Sequence, residues 1–104
     1  MKGLGNFGQL MKQAKQMQEE LQKAQAEIAE LRIAGTAGGG MVTATVSGSG
    51  ELVDLAIERE VIDPEDAEML VDLVIAAVQE AQRLAKSESE QRLGPLAQGF
   101  GITP

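Results

Sequence analysis

The sequence predicts an α+β fold in one domain, 1–104: a long helix, a three-stranded antiparallel meander and a second helix. Three observations predict it. Apolar residues recur at three-four spacing from Phe7 to Leu31, β-branched alternation bounded by glycine replaces that period between Ile33 and Glu58, and Asp63-Pro64-Glu65-Asp66 opens a second helical pattern. At 104 residues the chain has room for one hydrophobic core.

The first helix is expected at 6–32, roughly 40 Å long. Phe7, Leu10, Ala14, Met17, Leu21, Ala24, Ile28 and Leu31 form a coiled-coil seam, and the residues between them are mostly Gln, Lys and Glu, which favour helix. Asn6 is placed to cap its start. A helix of that length with so narrow a stripe needs another helix, most economically its copy in a second chain, which puts Leu10, Met17 and Leu21 at a homodimer interface. Two of the eight seam positions are alanine, so this contact needs help from a second interface.

The sheet is expected over 33–58. Gly38-Gly39-Gly40 and Gly48-Ser49-Gly50 mark two tight turns. Val42, Ala44 and Val46 share one strand face, Thr43 and Thr45 the other, and Val53, Leu55 and Ile57 continue the apolar face.

The second helix is expected at 63–90, with Asp63 as N-cap, Pro64 at the first helical position and acids facing the positive end of the dipole. Ala67, Leu70, Val71, Val74, Ala77, Val78, Ala81, Leu84 and Ala85 are expected to cover the sheet. Met69, Leu73 and Ile75 widen the apolar surface beyond that need, which places a second subunit there. The segment 93–104, with Gly94, Pro95, Gly99, Gly101 and Pro104, reads as a flexible tail.

Composition narrows the function. Nine Lys and Arg stand against sixteen Asp and Glu, a formal charge of -7, so bulk positive charge cannot hold nucleic acid and any polyanion site must be local. The absence of His, Cys, Trp and Tyr removes the usual neutral-pH base, every thiolate and the common zinc ligands. No enzyme activity, cofactor or metal is therefore expected. Gly3-Leu4-Gly5-Asn6-Phe7-Gly8 spells a dinucleotide fingerprint, but no strand leads into it and a coiled-coil helix follows. The acids Asp63, Glu65, Asp66 and Glu68 serve the helix start and lack calcium-loop spacing. The longest apolar run is Leu73 to Val78 and the start has no apolar signal-peptide core, so a cytoplasmic protein without membrane contact is expected.

Charge is strongly polarised along the chain. Residues 1–18 carry Lys2, Lys12 and Lys15 and no acid, whereas 51–72 hold nine acids and only Arg59. Lys12, Lys15 and Lys23 fall within roughly 80° on the helical wheel, opposite the seam. Glu19 stands four residues before Lys23 in the order that favours an ion pair, leaving Lys12 and Lys15 as the stronger candidates for a polyanion contact. Arg83, Lys86 and Arg92 form a second basic group on helix two.

The order of elements and several strings resemble the YbaB/EbfC family of small bacterial nucleoid-associated DNA-binding proteins. The resemblance lies in Gly3, Gly5-Asn6, Met11-Lys12-Gln13-Ala14, Gly38-Gly39-Gly40-Met41-Val42 and Gly48-x-Gly50-Glu51. It is most specific in Asp63-Pro64-Glu65-Asp66 with Glu68-Met69-Leu70 and Asp72-Leu73. It implies a tweezer-like homodimer whose first helices project as arms, and duplex DNA as partner, with the protein at the nucleoid. Family members often carry lysine in the second strand and in the Gly-x-Gly turn, where this chain has Thr43, Ala44 and Ser49, so a basic sheet face does not carry over. The expected DNA contacts are Lys2, Lys12, Lys15, Lys23, Arg83 and Lys86, made chiefly to phosphates. The alternative is a coiled-coil dimer that docks a protein of DNA replication or repair without touching DNA.

Overall fold

The computed structural model describes residues 2–99, with side chains from Asn6 onward. Helix α1 (Lys2–Glu30) leads into strands β1 (Arg32–Ala37), β2 (Val42–Ser47) and β3 (Leu52–Ile57), and helix α2 (Ala67–Gly99) follows two single 3-10 turns, Arg59–Val61 and Pro64–Asp66. The strands form an antiparallel sheet in the order β1-β2-β3, the meander expected from the glycine-bounded alternation. Gly38, Gly39 and Gly40 all take positive φ in the first turn, a conformation that side chains with a Cβ resist.

Register decides what the sheet buries. Val42 pairs with Ala37 and Ile57, Ala44 with Gly35 and Leu55, and Val46 with Ile33, so these residues share one face. α2 lies on that face over β1 and β2, burying Val42, Ala44 and Val46 together with its own Ala77, Ala81 and Ala85. The helix approaches so closely because position 35 has no side chain: a Cβ there would stand 2.7 Å from the Ala77 carbonyl oxygen. Gly48 serves the other end in the same way, since a Cβ there would run into the Ile28 carbonyl, which instead accepts the Gly48 N–H at 3.1 Å. That bond ties the C-terminal end of α1 to the β2–β3 turn.

Several boundaries differ from the sequence expectation. α1 begins at Lys2 rather than near residue 6, so Asn6 lies inside the helix and is not its cap. Each glycine in the first turns costs only about 1 kcal/mol relative to alanine, and Gly8 faces open space, so nothing forces a break. The helix stops two residues earlier than expected because the Leu31 N–H turns back to the Ile28 carbonyl, while Arg32 enters β1 and its guanidinium donates to the Ala29 and Leu31 carbonyls. Asp63 caps as expected, accepting the Glu65 N–H at 3.0 Å, but the turn it starts is 3-10 and Asp66 then caps the α-helix proper through the Met69 N–H.

The largest correction concerns the end of α2. It does not stop near residue 90 but continues through Gly94 and Pro95 to Gly99, so 93–99 of the expected tail are helix and 100–104 lie outside the described residues. Proline removes one helical donor, whose partner would be the carbonyl of the exposed Gln91, which water can satisfy. In compensation α2 packs on α1, half-burying Leu93, Leu96 and Ala97 opposite the half-buried Leu21 and Ala24. The C-terminal half of the α1 seam is thus partnered within the chain. The N-terminal half is not: Phe7, Leu10 and Met11 are 61%, 62% and 57% exposed. The result is a rod of 78 × 20 × 16 Å with a radius of gyration of 20.7 Å, against about 13 Å for a compact chain of 100 residues.

Candidate nucleic-acid interface

α1 carries Lys12 and Lys15 on the part of the rod that projects past the packed region. Both are exposed on one face of α1, with Gln16 and Glu19 beside them. Among the described residues the ion pairs are Arg83 with Glu80 and Arg92 with Glu88, so neither arm lysine is neutralised by a carboxylate within 4 Å. The side chain of Lys2, expected here as well, lies outside the described residues, although its backbone opens α1.

Lys23 sits lower on α1, in the groove where α1 meets α2, beside Glu20, Glu27 and Arg92. The expected Glu19–Lys23 pair is not made: Lys23 is exposed and forms no ion pair. An exposed i,i+4 pair is worth only a few tenths of a kcal/mol, too little to hold two long side chains in one geometry.

The three basic residues expected as a group on α2 have different partners. The Arg83 guanidinium donates to both Glu80 carboxylate oxygens, at 2.7 and 3.1 Å. Those hydrogen bonds and the charge of Arg83 hold the Glu80 carboxyl below its ordinary range, and Glu80 in turn raises Arg83. Arg92 donates to Glu88 at 3.1 Å. Lys86 alone of the three has no acidic partner. It lines a cleft of about 440 Å³ with the Gly48-Ser49-Gly50 turn. That turn is strapped to α2 by Ser89 Oγ donating to the Gly48 carbonyl at 2.7 Å and Gln82 Nε2 donating to the Gly50 carbonyl at 3.1 Å. Sequence reasoning missed this strap because its partners are 32 and 41 residues apart and carry no local signal.

Of the residues expected at a homodimer contact, Leu10 is exposed and Met17 and Leu21 are half-buried. Met69 and Ile75 are 41% and 49% exposed. Leu73 is different: it is half-buried against the core and against Gly38. Val71, expected to cover the sheet, is 53% exposed instead. The alanine stripe 77, 81, 85 sets the rotation of α2, so Leu70, Leu73 and Val74 turn inward while Val71 and Ile75 turn out. Exposed Leu52, Val53 and Leu55 lie on β3, which α2 leaves largely uncovered.

Gly3 to Gly8 lie within α1, so their fingerprint spacing forms no phosphate-cradling loop. Among the described residues no three His, Cys, Asp or Glu side chains are grouped to hold a metal, and no helix is long and apolar enough to cross a membrane.

A sequence model of the YbaB/EbfC DNA-binding family matches residues 2–100. The chain belongs to the YbaB/EbfC family. It is 52% identical over 99 residues to a nucleoid-associated protein of Rhodococcus opacus and 54% identical over 99 residues to one of Streptomyces avermitilis. In each case 95% of this chain and 88% of the relative are covered. The same fold occurs in the crystal structure of an uncharacterized protein from Helicobacter pylori, with a TM-score of 0.77 at 24% identity, covering 86% of this chain and 95% of that one. The family is described as DNA-binding, and the Rhodococcus opacus and Streptomyces avermitilis relatives are named nucleoid-associated proteins.

Proposed function

We propose that this YbaB/EbfC protein binds duplex DNA as a homodimer, in an architectural or gene-regulatory role at the nucleoid, with phosphate contacts from the α1 arms and no catalytic activity. One observation carries the reading: in a chain of charge -7, residues 1–18 hold three lysines and no acid, and Lys12 and Lys15 stand exposed and unpaired on the projecting part of a 78 Å rod. Lys2, Lys23 and Lys86 are subsidiary contacts, and Arg83 contributes less because the Glu80 carboxylate beside it offsets its charge toward a phosphate. The dimer is proposed to close over exposed Leu52, Val53 and Leu55 of β3 and Met69, Val71 and Ile75 of α2, an apolar surface that a single chain leaves in water.

The test is a titration of one duplex with the wild-type protein, Lys12→Glu/Lys15→Glu and Arg83→Glu at roughly 50 and 200 mM salt. With a slope near -0.9 per phosphate, four to six contacts cost wild-type affinity about 10²- to 10³-fold between those salts. The arm variant is expected to lose most binding at unchanged dimer mass and helicity, and Arg83→Glu to bind nearly as wild type. Normal binding by the arm variant would move the site off the arm.

A second reading keeps one observation on its side. Phe7, Leu10 and Met11 present an uncovered apolar stripe on the arm, the kind of surface a partner helix takes. A replication or repair protein docking there, with no DNA contact, is supported if wild type fails to bind any duplex at low salt.

A further inference from the structure

We propose that the cleft between the β2–β3 turn and α2 is a second phosphate seat, in which the Lys86 ammonium and the Ser49 hydroxyl take one phosphate of the DNA backbone. The proposal rests on the DNA-binding reading and adds a site separate from the arm.

The seat is built rather than incidental. Gln82, Lys86 and Ser89 stand on one face of α2, four and three residues apart. The outer two pin the turn through the Gly50 and Gly48 carbonyls, which leaves Lys86 between them facing the turn cleft. Two hydroxyls link the turn to the cleft. The Glu51 N–H donates to Ser47 Oγ at 3.3 Å, and Ser47 Oγ lies 2.9 Å from Ser49 Oγ. Ser47 is buried, and either hydroxyl can donate across that contact. Exposed Ser49 stands at the open end of this hydrogen-bonded pair, where its hydroxyl can donate outward while it accepts from Ser47. Gly50 leaves open space where a Cβ would stand.

Charge points the same way. None of the side chains lining the cleft is a carboxylate, in a chain with sixteen acids. Glu51 follows the turn and Glu90 lies one helical turn beyond Lys86, yet neither pairs with it. A single cation, a hydroxyl donor and close backbone approach suit a phosphodiester oxygen. Because the Ile28 carbonyl bonds the Gly48 N–H, the turn sits at the C-terminal end of α1. Lys15 is thirteen residues earlier, about 20 Å along the helix. Phosphates of one strand follow each other every ~3.4 Å along the axis, so arm and cleft must hold different ones.

The experiment is a fluorescence-anisotropy titration of a labelled duplex against salt with wild type, Lys86→Ala, Ser49→Asp and Ser49→Lys, each checked for unchanged helix content. Lys86→Ala is expected to reduce the slope of log affinity against log salt by about 0.9 for each cleft occupied, or about 3.5-fold less loss between 50 and 200 mM. Ser49→Asp is expected to weaken binding at least as much, and Ser49→Lys, at a side chain that already faces solvent, to tighten binding and steepen the slope. If wild type binds with a steep slope and these variants share that slope, the cleft is empty in the complex and the proposal fails while the arm reading stands. If wild type does not bind at low salt, both fail.

Discussion

Gly35→Ala tests how the sheet and α2 are held together. An alanine Cβ at position 35 would stand 2.7 Å from both the Ala77 carbonyl oxygen and the Ala81 Cα, where ordinary contact begins near 3.4 Å. α2 must therefore withdraw from β1 by about 1 Å, and a gap of that size forfeits a quarter to a half of each dispersion contact across it. Ala77, Ala81, Val42, Ala44 and Val46 are all at 0% exposure on that seam, so the loss is shared by the whole core. Overpacking of this kind costs about 1–3 kcal/mol, and removing a glycine from a strand returns about 0.5–1 kcal/mol. The net expectation is a loss of up to about 2.5 kcal/mol, centred on about 1 kcal/mol, read as a fall in melting temperature of about 4–8 °C per kcal/mol. The assay is thermal and urea unfolding by circular dichroism at one protein concentration, since dimerisation would shift both midpoints. Gly8→Ala is the control: it faces open space inside α1, so it is expected to raise helix content. A Gly35→Ala protein that melts at or above the wild-type temperature would refute the close-packing argument.

Leu73→Glu and Ile75→Glu separate fold from assembly. Leu73 packs into its own core, so its change is expected to lower the melting temperature at every protein concentration. Ile75 is exposed, so its change is expected to leave the fold intact and shift sedimentation from twice 11.0 kDa to 11.0 kDa. Wild-type protein sedimenting as a monomer at micromolar concentration would remove the dimer from the proposal. Glu80 is held below the ordinary carboxylate range by Arg83, so any stability it contributes is present above that range and disappears as pH falls through its folded value. Because both side chains are exposed the effect on unfolding is expected to be slight, and the cleaner reading is the Glu80 carboxyl carbon shift against pH, which Arg83→Ala is expected to move upward.

The order of elements was legible because each rests on a local signal. The heptads from Phe7 to Leu31, the glycine-bounded alternation and the Asp63-Pro64 start are periodic or positional features that neighbouring residues impose on one another. What escaped depended on contacts between distant parts of the chain. Gly94 and Pro95 read as a stop, yet α1 supplies a surface on which the helix continues past them. Leu73 and Val71 both sit on the apolar side of a wheel, and only the seating of Ala77 and Ala81 against Gly35 decides which turns inward. In the candidate site the arm lysines could be read from the lack of any acid in residues 1–18, although Glu19 and Glu20 follow directly. The neutralisation of Arg83 and Arg92 could not be ranked above the Glu19–Lys23 spacing, because all three are short-range pairs of similar strength and only the first two are made.

The net charge of -7 is the strongest objection to a DNA-binding reading, and the shape of the molecule answers it. Nine of the sixteen acids lie in 51–72, along β3 and the start of α2. Lys15 precedes the end of α1 by fifteen residues, so the helix itself separates it from the first strand by about 22 Å. At physiological ionic strength the Debye length is about 8 Å, and charges more than twice that distance away are largely screened. On the proposed reading, the arm would offer Lys12 and Lys15 to a phosphate with Glu19 and Glu20 as the acids near them, and the nine acids at the far end of the rod would bear on its solubility more than its affinity. A compact fold of the same composition, near 13 Å in radius of gyration, would bring acids and lysines within reach of each other. The extension to 20.7 Å keeps Lys12 and Lys15 apart from those nine acids.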